Sequence, residues 1–172
     1  MNNIRHIYPV QLSLIVALAG LFRVGALDAG TPGDACALLT ASQVSSALGA
    51  AAGSGQPIMP NNTTLCTWSE QGVPAGTERN VTVTLMSAKS FEIGRTPLTG
   101  TTKTPVSGIG DDAYFIESKG MIAGLNVRKG DTAFQVRART NAKWFRTGKT
   151  PESEQQDQGA DRLLALEILK KL

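Results

Sequence analysis

The chain has 172 residues, with 17 Lys and Arg against 14 Asp and Glu, 5% aromatic residues and a single histidine. This length suits one domain with one hydrophobic core. The scarcity of aromatic residues argues against broad stacking surfaces for sugars or single-stranded nucleic acid.

The N-terminal segment has the pattern of a secretory signal peptide. An apolar stretch at residues 10–22 follows Arg5; it has the length of a signal-peptide core and is shorter than the roughly 20 residues that span a bilayer. Small residues at positions 24–26 fit a cleavage site, which predicts residues 1–26 as the signal peptide. An uncleaved anchor is the alternative, because Arg23 lies close to the cleavage region.

Removal of residues 1–26 changes the chemistry of the remaining single domain, residues 27–172. Without Arg5 and Arg23, 15 Lys and Arg face 14 Asp and Glu, which weakens the case for nucleic acid as a partner. The only histidine, His6, is lost as well. Without histidine the domain has no Ser-His-Asp or Cys-His mechanism and no His-ligated zinc site. We therefore expect no cofactor and no metal.

Two cysteines remain in the mature domain, Cys36 and Cys66. An exported protein enters a compartment that permits disulfides, so we predict that they are bridged, with an entropic contribution of about 3–4 kcal/mol. A reactive thiol pair is the alternative, although the spacing is unlike C-x-x-C. Neither cysteine directly follows the apolar stretch, so we expect a periplasmic or extracellular protein that is not lipid-anchored.

The first predicted element of the mature chain is a short amphipathic helix. Thr40 and Gln43 have the spacing of a capping box, and Gly49 suits the C-terminal cap. Val44 and Leu48 share one face, which predicts that the helix packs against another element.

A Gly/Pro/Asn-rich loop follows, and then strands dominate. Period-two alternation predicts strands at residues 66–69, 80–86 and 113–117. At strand spacing we expect Trp68 and Phe134 to lie in the core.

Residues 121–140 predict a β-hairpin. We place Lys129 and Gly130 at the centre of its turn and Arg128 opposite Asp131 as a cross-strand charge pair. The returning strand would present alternating side chains on two faces: Phe134, Val136 and Ala138 on one, and Gln135, Arg137 and Arg139 on the other.

The last predicted element is a helix that begins at Thr150 and Pro151 and contains Gly159. Its predicted apolar stripe consists of Ala160, Leu163, Leu164 and Ile168. The order of helix, antiparallel strands and helix predicts an α+β fold, in which the N-terminal and C-terminal helices pack on one face of an antiparallel sheet.

Residues 108–115, GIGDDAYF, match the G-x-G-x-x-G/A dinucleotide pattern. That motif needs a strand before it and a helix after it, whereas a polar loop and a strand flank this one. Asp111 and Asp112 could be calcium ligands, but the further spaced oxygen ligands are missing. We interpret the segment as a turn in which the glycines adopt positive φ before a strand.

Several segments together resemble a family of small exported bacterial proteins of unknown function, with mycobacterial envelope lipoproteins among its relatives. The resemblance implies a compact α+β domain outside the cytoplasm with bridged cysteines, and it implies no catalytic residues. This chain lacks the lipobox of the lipoprotein members. The segments are DACALLTASQVSSALG, CTW, PVSGIGDDAYF, LNVRKGDTAFQV and LLALEILKKL.

Basic residues concentrate in the hairpin and the segment after it. One interpretation is a solvated sheet face or edge, where Lys and Arg deter aggregation. The other is an anion-binding surface, where Arg holds carboxylate or phosphate. Trp144 and Phe145 follow, and one of them would be exposed to a partner if that stretch is extended. The candidate ligand-binding residues are Arg128, Lys129, Arg137, Arg139, Lys143 and Arg146.

These patterns favour a non-catalytic binding or interaction module of the cell envelope. Its expected partner is an envelope protein, an anionic lipid or an acidic polysaccharide. The alternative is a carboxylate-dependent envelope hydrolase that uses Asp111, Asp112 or Glu117 as general acid or base.

Overall fold

The computed structural model of the protein describes residues 33–60, 62–96, 98–118, 121–142 and 150–172. The predicted signal peptide and Lys143, Trp144, Phe145 and Arg146 lie outside these ranges. Three α-helices occur in the described ranges: α1 (Ala41–Leu48), α2 (Ala88–Arg95) and α3 (Pro151–Leu169). The strands are β1 (Gln56–Pro57), β2 (Leu65–Ser69), β3 (Asn80–Ser87), β4 (Thr101–Pro105), β5 (Asp112–Ser118), β6 (Met121–Lys129) and β7 (Thr132–Arg139).

All seven strands form one antiparallel sheet in the order β1-β2-β3-β7-β6-β5-β4. Helices α1 and α3 pack together on one face of it, over the main core. Trp68 and Phe134 are fully buried in that core, as predicted. The α+β prediction is therefore confirmed, while α2 is a further helix that packs on the opposite face.

Local capping fixes where the helices on the core face begin and end. In α1 the Thr40 side chain accepts the Gln43 N–H, the Gln43 side chain accepts the Thr40 N–H, and Gly49 has φ 63°. Thr150 and Ser153 form an equivalent capping box at the start of α3. The sequence predicts the caps of α1 and the start of α3 at Thr150, because capping depends only on residues within one helical turn. The pairing of Thr150 with Ser153 was not predicted.

The predicted apolar stripe of α3 was wrong at one position. Leu163 is 62% exposed, whereas Asp157 and Asp161 are buried on the inner side of the helix. The Asp157 carboxylate accepts the backbone N–H and the hydroxyl of Thr140, and Asp161 accepts the Ala138 N–H. A buried carboxylate on α3 thus takes the place of an apolar residue because it satisfies backbone groups of the sheet.

These carboxylates lie where pairing between two central strands ends. The last paired residues of β6 and β7 in this direction are Leu125 and Val136. Beyond this pair, β6 no longer pairs with β7 and offers no acceptor to the Ala138 N–H. The Asp161 carboxylate accepts that hydrogen bond instead. The C-terminal helix therefore holds the end of β7 in place through hydrogen bonds as well as through apolar packing.

The β6–β7 hairpin forms, but its turn lies one residue later than predicted. Lys129 pairs with Thr132, so the two loop residues are Gly130, with φ 57°, and Asp131. Arg128 consequently lies opposite Ala133, and its ion pair is with Glu92 of α2. The predicted Arg128–Asp131 pair was wrong because the shift places these residues out of register.

Both edge strands of the sheet carry a proline at a position that faces away from the neighbouring strand. The Ile58 N–H donates to the Leu65 carbonyl, and the Val106 N–H donates to the Ala113 carbonyl. The backbone polar groups of Ile58 and Val106 therefore face the neighbouring strand. By alternation, Pro57 and Pro105 then face outward, where other residues would offer an N–H to an incoming strand. Proline has no N–H, so both edges resist pairing with another chain.

A disulfide joins Cys36 to Cys66, as predicted, and links the short 3₁₀ turn Ala35–Ala37 to β2. Gly55 lies against it, and a Cβ at Gly55 would be 2.8 Å from the Cys66 sulfur and 2.7 Å from the ring of Trp68. Glycine is therefore required at this close approach. Within the described ranges, no helix combines the length and apolar character needed to cross a membrane.

Candidate functional site

Helix α2 covers one end of the sheet face that lies opposite the main core. Phe91 packs there against Tyr114 and Ala133 in a second, small cluster of buried residues. The Tyr114 hydroxyl donates to the Phe91 carbonyl, and burial raises the pKa of Tyr114. Ion pairs of Glu92 with Arg128 and of Arg95 with Asp112 fasten the helix to the strands below. This end of the face is closed and structural.

The remainder of the same face is polar and forms a shallow groove of about 240 Å³, which we call the strand groove. Its described lining comes from strands β2, β3 and β7 and consists of hydroxyl, amide and guanidinium groups. Its side chains come together by cross-strand pairing: Thr67 with Thr82, Thr82 with Arg137, and Asn80 with Arg139. The lining residues are Thr67, Asn80, Thr82, Gln135, Arg137 and Arg139.

Two arginines give the strand groove its charge. Arg137 and Arg139 are two residues apart on β7, so they project from the same face, and both are partly buried. Burial lowers the pKa of Arg139, the neighbouring Arg137 lowers it further, and Asp157 opposes the shift. Among the described residues, no side chain or backbone group forms a hydrogen bond or ion pair with the guanidinium of Arg137, whose backbone pairs with Thr82 in the sheet. An oxyanion bound between the two guanidinium groups would relieve their mutual repulsion.

The other predicted basic residues do not join the strand groove. Arg128 pairs with Glu92 at 3.5 Å, and the Lys129 ammonium lies 3.3 Å from Asp111. Both lie at the hairpin end of the sheet. Arg128 lies opposite Ala133, and Arg137 is four residues further along β7, which is a distance of about 13 Å along the strand. Lys143 and Arg146 lie outside the described residues, so the structure brings together Arg137 and Arg139 alone of the predicted set.

The GIGDDAYF segment is a turn before a strand. Gly108 and Gly110 have φ 78° and 62°, and a Cβ at Gly110 would lie 2.5 Å from the Arg128 carbonyl oxygen. Asp111 accepts the Gly130 N–H at 2.7 Å, which together with Lys129 lowers the pKa of Asp111. The segment therefore holds the β6–β7 turn in place.

The candidate acid/base carboxylates point in different directions. Asp111 turns toward Lys129, and its neighbour Asp112 turns toward Arg95. Glu117 lies five residues beyond Asp112 on β5, about 16 Å along the strand. Glycosidase-type chemistry needs two carboxyl groups about 5–9.5 Å apart across a substrate. These three residues do not form such a pair.

Sequence reasoning placed Gln135 on the same strand face as the two arginines but missed the polar residues that the other strands contribute. Asn80 and Thr82 face outward from a predicted strand, so alternation identifies their orientation but not their neighbours. Their meeting with Thr67 depends on the strand order β2-β3-β7, which alternation leaves open. Beside the groove, buried Asn126 accepts a hydrogen bond from Gln135 at 3.4 Å, which helps to hold that side chain.

No group of three or more His, Cys, Asp or Glu side chains within the described ranges is arranged to hold a metal ion. No protein-family model, no curated protein and no solved structure matches the chain. The resemblance to a family of small exported bacterial proteins accordingly stays a prediction.

Proposed function

We propose that this protein is a non-catalytic binding module of the bacterial cell envelope, which binds an acidic polysaccharide in the strand groove. The observation that carries the proposal is Arg137, a partly buried guanidinium without an acidic partner in the described chain, beside a second guanidinium at Arg139. Such a pair suits a ligand carboxylate, since each guanidinium can donate two parallel hydrogen bonds.

The rest of the groove lining favours a polyhydroxylated anion over a lipid or a protein partner. Thr82 and Gln135 offer hydroxyl and amide groups that can donate and accept hydrogen bonds with sugar hydroxyls, and the Thr67 hydroxyl, which donates to the Val81 carbonyl, can still accept one. Among the residues that the structure describes, the lining includes no apolar side chain for an acyl chain and no aromatic anchor typical of protein interfaces. Recognition would rest on charge and hydrogen bonding and would not require stacking.

The Cys36–Cys66 disulfide supports an exported location. Structural disulfides persist in oxidising compartments and are rare in reducing ones. It agrees with a signal peptide at residues 1–26 and with a periplasmic or extracellular location. The absence of a lipid anchor stays a prediction from the sequence. The carboxylate-dependent hydrolase is the weaker proposal, because Asp111, Asp112 and Glu117 do not converge.

Retention on immobilised heparin, an acidic polysaccharide, tests the proposal. We expect Arg137→Glu with Arg139→Glu to abolish retention at low salt, because both groove cations become anions. The matched control is Lys89→Glu with Lys171→Glu, which makes the same change of net charge at exposed positions away from the groove. We expect the control to elute close to the wild type.

Two further measurements keep the result interpretable. Arg137→Gln, which retains a polar side chain, should weaken retention while the circular dichroism spectrum stays native. Unchanged retention of the double Arg variant would overturn the proposal. Binding to anionic vesicles without binding to heparin would assign the groove to a lipid headgroup and also overturn it.

A further inference from the structure

Helix α3 has two distinct sides. Its inner side is buried on the core, and its outer side carries a straight stripe of exposed residues spaced 4, 3, 4, 3 and 4 apart. This spacing is the one by which a helix presents a seam to a partner helix. The outer stripe consists of Glu152, Gln156, Gly159, Leu163, Leu166 and Lys170.

The centre of the outer stripe is apolar and raised between two depressions. Leu163 is 62% exposed and Leu166 is 43% exposed. Grooves of about 330 Å³ and 470 Å³ flank Leu163, and both include Ser46 and Ala47 of α1 in their lining. An exposed leucine beside two grooves is the shape that an interdigitating partner needs.

Gly159 lies in the stripe one turn before Leu163, and the fold itself does not require it. A Cβ at this position would have no heavy atom within 4 Å, and the residue has ordinary helical backbone. Glycine inside a helix is destabilising relative to alanine. Its missing side chain instead leaves a hole on the outer stripe that could receive a side chain from outside the molecule.

We propose that the outer stripe of α3 is a homodimer interface, in which the helices of two copies pack antiparallel about a two-fold axis. In this register Leu163 of one copy lies over Gly159 of the other, and Gln156 lies over Leu166. Glu152 at one end then meets Lys170 at the other end. The outer stripe of one copy therefore matches the outer stripe of a second copy that runs in the opposite direction, as a two-fold symmetric interface requires.

Charge selects this arrangement over the parallel one. An antiparallel pair places the acidic start of each stripe, Glu152, beside the basic end, Lys170, of its partner. A parallel pair would place Glu152 beside Glu152 and Lys170 beside Lys170, which is repulsive. Because one helix face forms a small interface, we expect a weak dimer in exchange with monomer.

Sedimentation equilibrium of the mature, disulfide-bonded protein over a wide concentration range tests the dimer. We expect Glu152→Lys and Lys170→Glu each to weaken self-association about tenfold, since two attractive pairs become two repulsive ones. An equimolar mixture of the two variants should associate at least as well as the wild type. In the mixed dimer, the two lysines of the Glu152→Lys stripe face the two glutamates of the Lys170→Glu stripe. Lys171→Glu, the adjacent position off the stripe, is the matched control and should leave association unchanged.

Leu163→Glu gives a second, independent test, since it should abolish association by placing a charge in the apolar centre without disturbing the buried core. A wild-type protein that stays monomeric up to its solubility limit would overturn the proposal. Equal weakening by Lys171→Glu, or failure of the mixed variants to associate, would also overturn it.

Discussion

At the scale of single residues, two glycines of the GIGDDAYF turn have similar backbone conformations and different surroundings. Gly108 and Gly110 both have positive φ, but only Gly110 faces neighbouring backbone, the carbonyl of Arg128. Gly108 has nothing within 4 Å of where a Cβ would lie. Substitutions at these two glycines therefore distinguish the free-energy cost of a left-handed backbone conformation from the additional cost of a steric clash.

We therefore expect different losses of stability from two alanine substitutions. Gly108→Ala should lower the free energy of unfolding by about 1 kcal/mol, the cost of a left-handed conformation. Gly110→Ala should lower it by about 3 kcal/mol, because the Cβ also meets a carbonyl oxygen. Urea denaturation of both variants measures the difference, and equal losses would contradict the close approach at Gly110.

At the scale of elements, the join between α3 and β7 depends on carboxylates inside the core. Asp161 accepts the Ala138 N–H and is 1% exposed. Asp161→Ala would leave that N–H buried without this acceptor, so we expect a loss of about 1–3 kcal/mol. The Ala138 amide should also exchange faster with solvent, as measured by hydrogen exchange.

The control for this substitution lies two residues along the same helix. Leu163→Ala removes a larger side chain, but one that is 62% exposed, so it should change stability by no more than about 0.5 kcal/mol at low protein concentration. If Asp161→Ala were as stable as Leu163→Ala, the carboxylate would not anchor the strand.

The elements also show which features of this fold a sequence can predict. Caps such as Thr40 with Gln43 and the placement of Arg137 and Arg139 on one face follow from local geometry, and both were predicted. Helix α2 was not predicted, because it is short and buries a single side chain, Phe91. The inner stripe of α3 misled the prediction because Asp157 and Asp161 occupy positions that pattern rules assign to apolar residues.

The meeting of Thr67 with Thr82 and Arg137 in the strand groove lies beyond local rules. It requires β2, β3 and β7 to be neighbours, although β7 follows β3 by about 45 residues in the sequence. Several strand orders satisfy the same alternation of polar and apolar residues. The polar surface could therefore be predicted strand by strand, but not as a groove.

At the scale of the whole molecule, the two proposed surfaces lie on opposite sides of the sheet. The strand groove is on the face opposite the main core, and the outer stripe of α3 points away from the core. A dimer through α3 would leave both grooves open on its outer sides. Two grooves could then bind two segments of one long polysaccharide, which increases avidity without new contacts.

The disulfide contributes to the stability of the whole domain. Replacing Cys36 and Cys66 together by serine should lower the free energy of unfolding by about 3–4 kcal/mol, because the bond closes a long loop in the unfolded chain. Chemical denaturation checks this value, and the reduced wild type should unfold at the same midpoint as the double variant. An unchanged midpoint would contradict a stabilising bridge.

The same bond determines how the domain would respond to mechanical force. Cys36 precedes α1 and β1 in the chain, so tension applied from the N-terminal side passes through the sulfur atoms directly into β2, an interior strand. Helix α1 and β1 lie inside the covalent loop and carry none of that load. A chain stretched from its ends would therefore extend about 100 Å less than its length allows, since residues 37–65 stay inside the closed loop.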